Sequence, residues 1–220
     1  MDRIQLLDQY LPPQCAPLIA RWIDHFQCEF KISRSRGTKL GDYRPPFAGQ
    51  GHRISINYDL NPYSFLVTTV HEFAHLLTWN EHKRKAKPHG TEWKANFKRM
   101  MRPFFEKEVF PMDIKRAIVQ YLENPAAASC SDLRLSRALK AYDASPEHLC
   151  LLETLPIGSL FMWKDDRVFK IEAKIRKRFR CVEPATGKVY LFNPLVEVEA
   201  YITKWQLSLS SVNVPFSIAG

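Results

Sequence analysis

His71-Glu72-Phe73-Ala74-His75 sets two histidines four positions apart with a glutamate beside the first, inside the apolar stretches Phe65-Leu66-Val67 and Leu76-Leu77. Residues at i and i+4 share a face only on a helix, so the spacing predicts a helix that presents two imidazoles to one point. At about 100° per residue, Leu66, Val67, Val70, Phe73, Ala74 and Leu77 fill one broad arc, and Phe65 and Leu76 fill much of another. Ser64, Thr68, His71, His75 and Thr78 share the remaining wedge. A helix apolar on most sides must be wrapped by other elements. The histidines therefore belong in a polar notch of a buried helix, where unpaired imidazoles and a carboxylate are costly and a metal ion compensates them. Two histidines with Glu72 placed to hold a water are the minimum kit for a zinc hydrolase.

A chain of 220 residues has room for one large or two small domains, and 45% hydrophobic with 25% charged residues is ordinary for a globular protein. No apolar run reaches membrane-spanning length, so no membrane partner is expected. The opening Met1-Asp2-Arg3-Ile4-Gln5 lacks the layout of a secretion signal. The 5 cysteines are odd in number and form no C-x-x-C pair, which points to a reduced, cytoplasmic setting. A formal charge of +9 favours anionic partners, nucleic acid first.

The sequence predicts an α+β protein. Pro12-Pro13 opens a helix with Ile19, Trp22, Ile23 and Phe26 on one stripe. Alternation at Cys28, Phe30 and Ile32 predicts a strand, followed by strands near 38–40 and 53–58, together a small antiparallel sheet. Asn61-Pro62 starts the motif helix, which runs to about residue 79 or 80. Further helices begin near Thr91, carrying Trp93, Phe97 and Phe104, and after Pro111, carrying Ile114, Ile118 and Leu122. Residues 1–125 thus form a zincin-like helical domain. Residues 126–150 form a linker with a short helix over 131–142. Short alternating runs over 151–205 predict a small β-rich module, SH3-like or a barrel, and 206–220 a tail.

A catalytic zinc needs a third protein ligand and an open position. His82 falls seven residues after His75, one too late for the metzincin spacing, and Thr78 stands where that pattern needs glycine. Glu92, Glu106 and Glu108 lie in no recognisable second ligand helix. His89, before Gly90 at the mouth of the next helix, is the best candidate. The run Val67-Thr68-Thr69-Val70-His71-Glu72-Phe73-Ala74-His75-Leu76-Leu77, a polar loop, and then His89-Gly90-Thr91-Glu92-Trp93 resembles the SprT-like metalloprotease family, whose eukaryotic relatives include the Spartan DNA–protein crosslink protease. The resemblance spans about residues 5–125. It implies zinc ligands at His71, His75 and His89 and a catalytic acid/base at Glu72. Many bacterial members end in a zinc ribbon built from two C-x-x-C pairs. This chain has isolated Cys130, Cys150 and Cys181 instead, so a second, structural zinc is not expected.

The function expected is zinc-dependent hydrolysis of peptide bonds in proteins bound or crosslinked to DNA. The alternatives are a non-catalytic zinc protein that binds nucleic acid or a transcription complex, and a peptidase unrelated to nucleic acid. Lys83, Arg84, Lys85 and Lys87 in the loop, and Arg176, Arg178 and Arg180 in a strand, are the candidate nucleic-acid contacts, with Phe169, Phe179, Tyr190 and Phe192 near the second group. Phe179 falls on the opposite side from those arginines, so for the strand taken alone a charged outer face over an apolar inner one is the preferred reading. If the strand over 53–56 is an edge, an extended substrate can pair with it. Tyr43, His52 and Tyr58 are candidate oxyanion donors.

Overall fold

The apolar run around the motif becomes α3 (Pro62–His82), the element around which the first unit is built. Its start is written locally. Asn61 Oδ1 accepts the N–H of Tyr63 at 3.0 Å and of Ser64 at 2.9 Å, and Pro62 takes the first turn, where no N–H is needed. Asn61 Nδ2 also donates to Leu139 O at 2.9 Å, tying the cap to α6 (Leu133–Lys140). In this computed structural model, which describes residues 2–37, 39–123 and 132–201, every residue of α3 from 64 to 74 is buried. The chain divides into two units, Met1–Ala144 and Ser145–Gly220, each with its own core. No helix among the described residues is long and apolar enough to cross a membrane.

In the first unit α4 (Thr91–Glu106) and α6 pack on α3, and α5 (Met112–Glu123) packs on both of them. From α2 (Ala16–His25), Trp22 sets its ring edge-on to Phe73 at 5.4 Å and to Phe104 at 5.6 Å. A fully buried large apolar side chain contributes about 1.5–3 kcal/mol. Phe65, Phe73, Trp93, Phe97 and Phe104 are all 0% exposed, enough to hold the polar notch of Thr68, His71 and Glu72 in place against its desolvation cost. Helix α2 begins at Ala16 with Pro17 in its first turn, later than Pro12-Pro13, and a short α1 (Arg3–Asp8), held by a capping box of Asp2 and Gln5, was not expected.

The sheet is mixed rather than antiparallel. Strand β3 (Arg53–Asn57) is central, β1 (Glu29–Ser33) runs parallel to it, and β2 (Gly41–Arg44) runs antiparallel on its other side. The chain turns tightly at Phe47-Ala48-Gly49-Gln50 between β2 and β3, with Phe47 and Gln50 exchanging backbone bonds at 3.1 and 3.0 Å. That hairpin takes one side of β3 and leaves the other for β1. Alternation shows which face of a strand is buried but not its direction, which is why the parallel pair was missed. Arg36 pins the connecting segment, donating to Asn57 Oδ1 at 2.8 Å, Ser55 Oγ at 2.9 Å and Ser55 O at 3.2 Å. The strand expected near 38–40 begins instead at Gly41, and Thr38 lies outside the described residues.

The second unit is one antiparallel sheet of six strands: β4 (Leu149–Leu151), β5 (Leu160–Trp163), β6 (Arg167–Ile175), β7 (Arg178–Val182), β8 (Val189–Phe192) and β9 (Glu197–Ala200). Their order is β4-β9-β5-β6-β7-β8, so the ladder ends at β4 and β8 and is open rather than closed into the barrel that was one of the two expectations. Phe161, Phe169, Ile171, Phe179, Cys181 and Phe192 form its core. Beside it Arg167 donates to Glu183 Oε1 and to the Tyr190 hydroxyl, both at 2.7 Å. The unit starts before the expected residue 151 because β4 is defined by pairing with β9, which no local alternation reveals. The linker over 124–129, Cys130, Ser131 and the tail over 206–220 lie outside the described residues.

Candidate metal centre

Helix α3 carries His71 and His75 on one face, with Nε2 atoms 3.2 Å apart. His89 reaches the same point from the loop before α4, its Nε2 3.1 Å from that of His71 and 2.9 Å from that of His75. An Nε2 atom carries either a proton or a lone pair, so three of them in mutual contact cannot be satisfied by protons alone. Three converging lone pairs fit a cation. The spacing is near the roughly 3.3 Å expected for nitrogens bound tetrahedrally to one zinc at about 2.0–2.1 Å. Among the described residues these three are the group placed to hold an ion, and no carboxylate or thiol joins them.

Burial, and secondarily the other imidazoles, push His71 down to about 2 and His75 down to about 3. Burial also lowers His89. All three are therefore neutral near pH 7, the state in which an imidazole ligates. The Trp93 ring backs them all, at 4.6 Å from His71, 5.3 Å from His75 and 4.7 Å from His89. Trp93 was legible as a core aromatic but not as the platform under the ligands.

The turn that delivers His89 is strained at the histidine itself. His89 has φ 57°, whereas Gly90, the residue free to adopt a positive φ, has φ −72°. Gly90 N–H closes the turn on Lys87 O at 2.9 Å, and a Cβ at Gly90 would lie 3.0 Å from that oxygen. The other ligand candidates lie elsewhere. His82 stands 3.8 Å from the Glu81 carboxylate, Glu106 pairs with Arg102 at 2.8 Å, and Glu92 and Glu108 are exposed.

Glu72 points from α3 toward β2 and is 7% exposed. Burial raises its carboxyl to about 8, and the Asp42 charge adds to this. The Tyr43 backbone N–H, which donates to it, and the charges of Arg36 and Lys39 work the other way. Strand β2 passes so close that a Cβ on Gly41 would lie 2.7 Å from Glu72 Oε1 and 2.7 Å from Thr68 Cγ2. Nothing in the local sequence around Gly41 marks this contact.

Of the three candidate oxyanion donors, Tyr43 and His52 lie at the site and Tyr58 does not join them. The Tyr43 ring is parallel to His75 at 6.4 Å, and its hydroxyl is 2.9 Å from His52 Nδ1. The strand over 53–56 is not an edge. Strand β2 is, and it lies over α3.

The basic residues fall in two places. Lys83, Arg84 and Lys85 form an exposed 3-10 turn at the end of α3, and Lys87 is exposed after it. In the second unit Arg176 and Arg178 are exposed at the β6–β7 turn, while Arg180 is half-buried and ion-paired with Glu172. The neighbouring rings are not free to stack on bases. Phe169, Phe179 and Phe192 are in the core, and Tyr190 is held by Arg167. The charged-outer, apolar-inner explanation of that strand is the one its burial supports.

The model of the SprT-like family matches residues 16–116 of this chain. No curated protein and no solved structure matches it. The matched span holds β1 to β3, all of α3 and α4, the three converging histidines and Glu72, and over that span the chain is similar to the SprT-like family.

Proposed function

We propose that this protein is a zinc-dependent endopeptidase acting on proteins bound or crosslinked to DNA. The observation that carries the hydrolytic part is the convergence of three neutral imidazole nitrogens within 3.2 Å, beside a buried glutamate and beneath an edge strand. His71, His75 and His89 would hold the zinc ion, which would supply a Lewis acid to polarise a carbonyl and make water more acidic. The charge of a cation held at the three imidazoles would offset the burial that raises Glu72 and leave it ionised; Glu72 then takes a proton from the attacking water and returns it to the leaving amine. The Tyr43 N–H fixes the Glu72 carboxylate for that exchange. The outer edge of β2 accepts an extended substrate by backbone pairing, next to the reacting groups. Tyr43, beside His75, is the nearer of the two placed candidates for steadying charge on the carbonyl oxygen.

The nucleic-acid part rests on the charge of +9 and on Arg176, Lys177 and Arg178, exposed together at one hairpin turn. Phosphate contacts there raise the local concentration of any protein on the same DNA. Metal analysis paired with hydrolysis of a basic DNA-binding protein, with and without DNA, tests both parts. The expected result is one zinc per chain and cleavage accelerated by DNA. Metal-replete protein that cuts no protein substrate overturns the first part, and DNA affinity unchanged between low and high salt overturns the second.

A further inference from the structure

A cleft of about 330 Å³ opens beside the metal centre, with His75 in its wall. Tyr43, Trp79 and Trp93 form its apolar sides, and Lys83, Arg84 and Lys87 stand at its rim. No carboxylate lines it. None of the three cations forms an ion pair among the described residues. Of the acids around it, Glu81 is engaged with Arg99 and with Asn96 Nδ2 at 2.8 Å, and Asp42 with Lys39 at 2.8 Å and Arg44 at 2.9 Å, while the exposed Glu92, whose Oε2 lies beside Gly90 and Lys87, does not line the cleft. The volume is at the low end for a ligand pocket, room for one or two side chains.

We propose that this cleft selects an acidic side chain of the substrate next to the scissile bond. This rests on the peptidase reading above and names the substrate that the same site prefers. A strand paired on the edge of β2 turns alternate side chains to one face, and Tyr43 of β2 is itself a wall of the cleft. A glutamate there lays its methylenes against the half-buried Trp79 indole and its carboxylate among the three cations. Aromatic walls limit solvent around such a pair and strengthen it relative to open water. A lysine in the same place meets three like charges, so the site rejects as well as selects. A phosphate backbone seated in the cleft would take the place of the peptide being cut, which favours a protein occupant over nucleic acid for these loop cations.

The test uses zinc-loaded full-length protein carrying Glu72→Gln and fluorescein-labelled extended peptides that differ only in Glu, Gln or Lys at one position. Anisotropy is expected to show the Glu peptide binding about 10-fold tighter than its Gln counterpart, with Lys weakest. Lys83→Glu/Arg84→Glu/Lys87→Glu, all at exposed positions, is expected to invert that order without a change in Tm. Equal affinities, or an order the triple variant leaves untouched, overturn the proposal. So does DNA binding that the triple variant abolishes while the peptide order persists. The same peptides are then given to wild-type enzyme. Charge-ordered binding with no hydrolysis retains the acid-selecting cleft and refutes the peptidase. Hydrolysis without charge order does the reverse.

Discussion

Glu72 and the three histidines pull the stability of the metal-free protein in opposite directions. The folded state holds Glu72 at about 8 against 4.5 when free, so it binds the extra proton. Its contribution is complete below pH 4.5 and is lost as pH rises through 8. The histidines are held near 2 and 3, and for His89 below its ordinary value, against 6.5 when free. Their contribution is complete above pH 6.5 and is lost as pH falls. Between 4.5 and 6.5 several imidazoles outweigh one carboxyl. The site alone therefore predicts greatest stability of the metal-free protein near pH 6.5, with the steeper fall on the acid side. Urea midpoints across pH 4–9 check this, and Glu72→Gln is expected to flatten the alkaline limb; an unchanged limb assigns it to another group. With zinc restored, Glu72→Gln should keep the metal and lower kcat/KM about 10²–10⁴-fold, whereas His89→Ala should lose the metal as read by elemental analysis. Zinc retained in His89→Ala would dissolve the three-histidine centre. His71, Glu72 and His75 were readable because four residues on a helix place two side chains together without help from elsewhere. His89 was readable only as a candidate, since a left-handed residue in a polar loop leaves no periodic trace.

For the elements, the working unit is α3 with β2 laid against it. Gly41 has an ordinary negative φ region, so its need for no side chain comes from crowding rather than from backbone conformation. Gly41→Ala is expected to cost about 1–3 kcal/mol as overpacking and to push Glu72 off the Tyr43 N–H. The urea midpoint and the rate of peptide hydrolysis should fall together. A variant as stable and as active as wild type would show that the β2–α3 contact is slack. The sequence located β2 two or three residues early and read the sheet as antiparallel, because alternation specifies only the buried face. Which strand became the edge was settled by the Phe47–Gln50 turn and by Arg36, whose guanidinium reaches residues 55 and 57 across the sheet.

At the scale of the molecule, the described residues form two cores, one around α3 and one inside the six-stranded sheet. The three histidines that could hold a metal ion all belong to the first. Phe161, 0% exposed in the second, is expected to cost about 3–5 kcal/mol when cut to alanine, yet to leave zinc at one per chain. Zinc lost along with Phe161 would mean that the second core supports the metal centre. Conversely, zinc at 100 times its Kd should stabilise the unit that binds it by about 2.7 kcal/mol, and chelation should remove that gain in a calorimetric scan.

The amino-acid order by itself determined the buried helix, its Asn61 cap, the histidine pair with Glu72, the helices on either side and most strands of the second unit. Each depends on hydrogen bonds or side-chain periodicity within a few residues, which local sequence encodes directly. Tertiary structure decided the rest. It brought His89 to the pair, put Trp93 behind all three rings, set β2 rather than β3 at the edge, and drew Phe169, Phe179 and Phe192 into a core instead of onto a surface for bases. Those outcomes join residues far apart in the chain, and packing among distant side chains chooses between arrangements that the same local pattern allows equally.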